Sequence, residues 1–186
     1  MTREERVEMS ETASKPHVAV FCVGNRLHLD DGVGPAVYDE VIKRFDVPES
    51  VELFDLGVLT MDMIRYIGSC DVVITVDAME YSGHEPGTVL IGRPDELAHS
   101  QGMNMSLHDL RLVDLFDAAI LLDYDAEGLC IAMQVEDADP QYLTNDLTPR
   151  VKAALPLMVD TLAAELAKRG VPFIDKETGE PYLGPQ

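Results

Sequence analysis

The sequence predicts an α/β fold, a three-layer α/β/α sandwich around a mostly parallel five-stranded sheet with one antiparallel strand. Short apolar runs alternate with segments in which apolar residues recur every three or four positions, which is typical of alternating strands and helices. The unbroken apolar run Val72–Val76 is typical of a strand buried on both faces. With 186 residues, the chain is long enough to bury roughly 70% of its unfolded surface as one domain.

The five predicted strands are short apolar runs bounded by turn residues. They cover Val18–Val23, Val51–Phe54, Val72–Val76, Thr88–Ile91 and Leu129–Val135. Between the third and fourth strands, Gly83–Gly87 has the composition of a tight turn. A connection this short favours an antiparallel pairing of the third and fourth strands.

The predicted helices each carry one apolar stripe at helical spacing. They cover Gly34–Phe45, Met61–Ile67, residues 107–120 and a final helix that begins at Pro149. Pro35 suits the first turn of the first helix, because its missing N–H would be unpaired there in any case. Thr148 is the predicted N-cap of the final helix, and Gly170 ends it.

The two ends of the chain are charged or polar and have little to bury. We therefore expect a flexible N-terminal arm (residues 1–16) and a flexible C-terminal tail (172–186) around a compact domain (17–171). The arm lacks the apolar core of a signal peptide, and no apolar run approaches the roughly 18 residues that span a bilayer. The expected location is the cytoplasm.

The formal net charge of −20 excludes nucleic acids and anionic membranes as favoured partners, because both need clustered Lys and Arg. The same charge also fits plain solubility or a salt-rich environment, so it does not by itself identify a partner. Cys22, Cys70 and Cys130 are odd in number, far apart and close to apolar runs. They are expected to be reduced thiols rather than disulfides or ligands.

The segment Gly24–Pro35 joins the first predicted strand to the first helix and carries two adjacent carboxylates, Asp30 and Asp31. Asp77 directly follows the third strand, and ligands of open α/β sheets bind at this carboxyl edge. His108 begins the predicted helix 107–120, where the helix dipole keeps an imidazole neutral. Two carboxylates and one neutral imidazole suit a divalent ion such as zinc or nickel.

Each of these residues also has a simpler explanation. Asp31 fits the role of N-cap of the following helix. Asp77 fits the role of an acid at a strand end whose carboxylate accepts hydrogen bonds from loop amides. His108 suits a polar surface position. Asp30 fits a supporting or capping acid, and His28 fits a solvated loop histidine, a shield for the site or a partner contact.

Several common catalytic sites are excluded. The glycines do not follow the dinucleotide-binding pattern, and neither a phosphate-binding loop nor a serine nucleophile elbow occurs. No Ser–His or Cys–His nucleophile pair is visible in the sequence, which leaves metal chemistry as the favoured hypothesis.

The same segments resemble the maturation endopeptidases of nickel–iron hydrogenases from about Val18 to Gly170. The motifs that carry the resemblance are Gly24-Asn25, Asp30-Asp31-Gly32-Val33-Gly34, Asp77-Ala78, Pro86-Gly87-Thr88-Val89, Ser106-Leu107-His108-Asp109-Leu110 and Leu147-Thr148-Pro149. The resemblance implies that Asp31, Asp77 and His108 bind the metal and form the catalytic set.

The resemblance also implies the reaction. Such enzymes remove a short C-terminal peptide from the hydrogenase large-subunit precursor after nickel insertion, and they recognise the nickel in that precursor. No permanent cofactor is then expected, although zinc or cadmium can substitute in crystals, and the enzyme is expected to act as a monomer. Asn25, His28, Asp55 and Gly57 are the expected substrate contacts.

One departure from the family pattern leaves alternatives open. The family often has Asp, a small residue, Gly and Thr after the second strand, whereas this chain has Asp55-Leu56-Gly57-Val58. The subclass of hydrogenase therefore stays undetermined. A non-catalytic metal-sensing chaperone for the same precursor, and a hydrolase with a different substrate, are the competing hypotheses.

Overall fold

The computed structural model describes residues 15–57, 61–100 and 112–185. Its strands are β1 (Val18–Val23), β2 (Phe45–Asp46), β3 (Val51–Leu56), β4 (Val72–Met79), β5 (Val89–Gly92), β6 (Glu127–Gln134) and β7 (Ile174–Asp175). Five of them form one sheet in the order β3-β1-β4-β6-β5, and β2 pairs with β7. All pairs in the large sheet are parallel except β5 with β6.

The helices are α1 (Val33–Arg44), α2 (Ile64–Ile67), α3 (Pro94–Ser100), α4 (Leu112–Leu121) and α5 (Pro149–Lys168). Single 3₁₀ turns, Leu29–Gly32 and Met61–Met63, precede α1 and α2. On one face of the sheet, α1 and α5 bury stripes that include Val37 and Leu162. On the other face, Ile67 of α2 and Leu115 of α4 pack against Phe21. The predicted layered fold with a mostly parallel sheet is thus confirmed.

The antiparallel pair is not the one that the sequence suggested. The fourth sheet strand in the chain, β5, pairs with β6, and β6 separates it from β4. The connection between β4 and β5 crosses the end of β6, where the N–H of Gly87 donates to the carbonyl of Gln134 at 2.8 Å. The Ser82 N–H also donates to the Gln134 side chain at 2.9 Å. The prediction of a β4–β5 hairpin is therefore wrong, because Gln134 holds the connection over β6.

The helical predictions are incomplete in two respects. Helix α3 was not predicted, because seven residues with a single clear apolar position carry little periodicity. The side chain of Thr148 makes no capping hydrogen bond, although the residue occupies the N-cap position of α5. Its hydroxyl donates to Asp30 instead, at 2.9 Å. The first part of the predicted helix 107–120, including His108, lies outside the described residues.

The C-terminal segment is better packed than its composition suggested. Phe173 is fully buried, and its ring stacks on Phe45 with the centroids 5.4 Å apart. The Tyr182 ring lies 5.0 Å from Phe45, and its hydroxyl donates to Asp160 at 2.8 Å. The prediction that residues 172–186 have little to bury is wrong, because one Phe and one Tyr among polar residues were enough to fix the segment. Residues 1–14 of the predicted arm lie outside the described residues.

Two further observations concern the chain as a whole. Within the described ranges, none of the helices combines the length and apolar character that crossing a bilayer requires. The three cysteines are free, as expected, with Cys22 buried and Cys70 and Cys130 half-buried.

Candidate active site

The first turn of α1 lies directly on the carboxyl ends of β1 and β4. A Cβ atom on Gly34 would lie 2.1 Å from the carbonyl oxygen of Val23 and 2.7 Å from that of Val76. Gly24, with φ +132°, has a backbone conformation that favours glycine, and a Cβ there would lie 1.9 Å from the carbonyl oxygen of Asp31. Both glycines therefore let the loop after β1 (residues 24–32) fold tightly over the ends of two neighbouring strands.

This loop holds the Asp31 carboxylate at the edge of the sheet. Asp31 lies on the 3₁₀ turn before α1 and is partly buried. Its Oδ2 accepts a hydrogen bond from the backbone N–H of Asn25 at 2.7 Å. Asp31 does not cap α1, because the residue at the N-cap position is Gly32.

Asp77 reaches the same edge from a central strand. Cys22 of β1 pairs with Val76 of β4, so Asp77 lies one residue beyond this pair, where β1 runs into its loop. Its Oδ1 accepts the N–H of Ala78 at 2.7 Å.

The pKa of Asp77 is raised to about 7, and burial is the largest cause. The hydrogen bond from the Ala78 N–H lowers this pKa, whereas the negative charge of Asp31 raises it. The structure therefore brings Asp31 and Asp77 close enough for their charges to interact. Two carboxylates that share an environment disfavour each other's ionisation, and a cation bound between them would relieve that cost.

Further acids surround this pair. Burial raises the pKa of Glu80, and the negative charges of Asp139, Asp31 and Asp137 raise it further. Glu80, Asp137 and Asp139 thus form an acidic rim beside Asp31. Such a rim attracts a cation or a cationic segment of a partner and disfavours an anionic one.

His108, the predicted third ligand, lies outside the described residues, and so does the motif that contains it. Within 15–57, 61–100 and 112–185, no three His, Cys, Asp or Glu side chains are grouped in a way that could hold a metal ion. The described part of the site is thus a pair of carboxylates rather than a complete coordination sphere.

The expected substrate contacts lie around the pair. Asn25 is exposed, and its side-chain oxygen accepts the N–H of Leu27 at 3.0 Å. His28 is partly buried and forms an isolated bridge with Thr144. Asp55 and Gly57 lie at the end of β3, where the N–H of Gly24 donates to the Gly57 carbonyl at 3.3 Å. All four positions belong to the same edge of the sheet as Asp31.

Arg26 is a residue of this edge that the sequence reasoning missed. Its guanidinium donates to Asp39 at 2.6 and 3.0 Å and to Asp55 at 2.9 and 3.2 Å. Hydrogen bonds to Asp39 and then to Asp55 raise the pKa of Arg26, so its charge is permanent. Arg26 is the one Lys or Arg between Gly24 and Gly34 in the sequence. A single positive charge in a segment with two carboxylates was the signal that could have identified it. Arg26 ties the loop after β1 to α1 and to the end of β3.

The cysteines near the site are unsuited to nucleophilic attack. Burial raises the pKa of Cys22, and burial raises that of Cys130 to about 12, with a further contribution from the charge of Asp77. Both thiols therefore stay protonated at neutral pH, and the thiolate is the reactive form.

Comparisons with known proteins identify the family of this chain. The family model described as hydrogenase maturation protease (HycI) matches residues 35–165. The chain is 30% identical over 176 residues to the hydrogenase expression/formation protein HupM of Azotobacter chroococcum mcd 1, which covers 94% of this chain and 83% of that protein. It is 27% identical over 161 residues to the hydrogenase 2 maturation protease of Escherichia coli K12, with 86% and 96% covered.

Solved structures give the same result. The hydrogenase maturating endopeptidase HybD from E. coli matches with a TM-score of 0.76 and 26% identity, over 87% of this chain and 98% of that chain. The solution structure of an endopeptidase from E. coli matches with a TM-score of 0.74 and 25% identity, over 87% and 99%. The resemblance expected from the motifs is confirmed, and the chain belongs to the hydrogenase maturation proteases, a family of endopeptidases.

Proposed function

We propose that this chain removes the C-terminal extension of a hydrogenase large-subunit precursor after the precursor has bound nickel. The observation that supports this most is the interacting pair Asp31 and Asp77, held at neighbouring strand ends in a member of this family. The nickel belongs to the substrate, and the enzyme recognises it there. The reaction takes place in the cytoplasm, and the chain acts as a monomer.

Asp31, Asp77 and His108 form the proposed catalytic and metal-contacting set. Two carboxylates supply oxygen ligands, and a neutral imidazole completes a partial shell with positions left for the precursor's own ligands. A cation beside Asp77 stabilises the ionised form of this carboxyl, whose pKa is about 7 without one. An incomplete shell on the enzyme explains why no permanent cofactor is needed, and why zinc or cadmium can take the same place.

Water is the proposed nucleophile, because the thiols of Cys22 and Cys130 stay protonated. The water oxygen bonds to the scissile carbonyl carbon, the C–N bond breaks, and a proton from the water passes to the leaving amine. Substrate nickel assists either by polarising the carbonyl or by activating the water.

The precursor contacts Asn25, His28, Asp55 and Gly57, which surround the carboxylate pair. The Asp55 carboxylate is shared with Arg26, so this part of the contact surface is a fixed ion pair rather than a free charge. The acidic rim directs cationic groups of the precursor toward Asp31.

The test is a processing assay. Purified precursor with and without nickel is incubated with the chain, and its mass is measured. We expect shortening at the C-terminus in the nickel-loaded sample alone, and no shortening with Asp31→Asn or Asp77→Asn. The control Asp125→Asn removes an exposed acid beyond the amino end of β6, at the opposite edge of the sheet, and should process normally.

The other outcomes identify the competing functions. Nickel-loaded precursor that binds without a change in mass would show a chaperone rather than a protease. Cleavage of short peptides without nickel would show a hydrolase with another substrate. Full activity of Asp31→Asn or Asp77→Asn would remove that residue from the site.

A further inference from the structure

Asp30, the neighbour of Asp31, is fully buried and holds four hydrogen bonds from another part of the chain. Its Oδ2 accepts the N–H groups of Glu136 and Asp137, both at 3.1 Å, and the hydroxyl of Thr148 at 2.9 Å. Its Oδ1 accepts the N–H of Thr148 at 2.7 Å. The donors come from the segment that links β6 to α5 (residues 135–148). Asp30 thus joins the loop after β1 to this linking segment.

The environment of the Asp30 carboxylate is built from amides and a hydroxyl. Hydrogen bonds to an ionised acceptor are stronger than those between neutral groups. Thr148 is the N-cap of the 20-residue helix α5, whose positive dipole end also favours a carboxylate there. The carboxylate is therefore held in one orientation by several directed contacts.

Backbone hydrogen bonds reinforce the same junction. The N–H of Asp30 donates to the Asp137 carbonyl at 3.2 Å, and the N–H of Thr144 donates to the Leu27 carbonyl at 2.9 Å. Leu29 has a φ of +49°, in the left-handed region that residues other than glycine rarely adopt. This turn sends the Asp30 side chain into the interior, and it is maintained by the contacts on either side.

We propose that Asp30 is a positioning residue, which fixes the direction of the Asp31 carboxylate by anchoring the intervening peptide to the linking segment. Asp30 itself does not contact the substrate. The Asn25 N–H, which donates to Asp31 at 2.7 Å, reports that direction. The kinetic consequence rests on the proposed function, whereas the structural consequence does not.

The test removes one of the four bonds. Asp30→Asn would place an NH₂ group against N–H donors and so destabilise the fold as well as alter the site, so the informative variant is Thr148→Val. The Thr148 side chain makes no capping bond and its backbone is extended, which valine tolerates. Thr148→Ser keeps the hydroxyl. Thr161→Val is the matched control on the same helix, because the Thr161 hydroxyl donates to the carbonyl of Leu157.

In Thr148→Val we expect the Asn25 amide resonance to shift upfield as its bond to Asp31 weakens. The Ala78 amide, which is bonded to Asp77, should stay in place. With nickel-loaded precursor, kcat should fall about tenfold, because a small displacement of a reacting group is costly, while KM changes less than about twofold. Thr148→Ser and Thr161→Val should both keep the Asn25 amide shift and the kcat of the unaltered chain.

The NMR measurement and the kinetic measurement distinguish a failure of the positioning role from a failure of the proposed function. An unmoved Asn25 amide in Thr148→Val overturns the positioning role, whatever happens to kcat. A moved Asn25 amide with unchanged kcat supports the orienting contact but overturns its kinetic consequence, because the direction of Asp31 would then not affect the reaction. If the unaltered chain fails to process nickel-loaded precursor, the proposed function fails, and the Asn25 shift alone decides whether Asp30 orients Asp31.

Discussion

The loop after β1 and the end of β4 each bring an aspartate to the same edge of the sheet, but they hold it differently. Asp77 belongs to a strand with neighbours on both sides, so its position is fixed by the sheet and burial raises its pKa to about 7. Asp31 lies on a loop, and its position depends on hydrogen bonds such as that from Asn25. Substitutions in β4 should therefore alter the protonation of Asp77, whereas substitutions in the loop after β1 should alter the position of the Asp31 carboxylate.

The largest expected effect is on the strand side. The folded-state pKa of Asp77 is raised from 3.8 to about 7, so folding favours its protonated form. The contribution of Asp77 to stability is greatest below pH 4 and falls as the pH rises to 7. Above pH 7 the ionised carboxyl costs no more than about 4 kcal/mol, since one pKa unit corresponds to about 1.4 kcal/mol.

Asp77→Asn should remove this pH dependence and be more stable than the unaltered chain at pH 8. Urea unfolding of both proteins at pH 5 and pH 8 measures the pH dependence of the unfolding free energy and the difference in stability at pH 8. A variant that is less stable at pH 8 would contradict the assignment of Asp77 as a carboxyl whose ionisation opposes folding.

Where the loop after β1 enters α1, Gly34→Ala should cost about 3 kcal/mol of unfolding free energy, because the new Cβ would overlap backbone rather than a movable side chain. Gly57→Ala is the control, since none of the residues that the structure describes has an atom within 4 Å of a Cβ at that position. It should change stability by less than about 0.5 kcal/mol. Denaturant titration of both variants gives the comparison, and equal stabilities would contradict the tight contact of α1 with the strand ends.

Much of the fold followed from local patterns. The unbroken apolar runs in β1 and β4 predicted buried parallel strands, and Asp31 and Asp77 were predicted to lie at one edge of the sheet. The predicted third strand ended at Val76, whereas β4 continues to Met79 and includes Asp77. The adjacency of β1 and β4 was not predictable, because strand order depends on packing between distant segments. The anchoring of Asp30 by residues 106 to 118 positions away has no local signal. The same limit applies to Phe173, whose partner Phe45 lies at the end of α1.

A smaller effect links the two aspartates directly. The charge of Asp31 contributes to the raised pKa of Asp77, but burial contributes more. Asp31→Asn should therefore lower the pKa of Asp77 by less than about one unit, since the larger contribution stays. Carboxyl ¹³C NMR of the ion-free chain measures this value. An unchanged pKa would mean that the two side chains are too far apart to share a cation.

The smallest expected effect concerns Arg26, which ties the loop to α1 and β3 through exposed ion pairs with Asp39 and Asp55. Such pairs are screened by water and salt, so Arg26→Met should cost less than about 1 kcal/mol of stability. It removes the ion-pair partner that holds the Asp55 side chain in place at the contact surface, however, and so should raise KM for the precursor more than it lowers kcat. Lys43→Met, which removes an exposed pair with Glu40 on α1, is the matched control and should leave KM unchanged. If both variants alter KM equally, the effect of Arg26 is one of net charge, and the loop after β1 is oriented by Asp30 and Asn25 without its help.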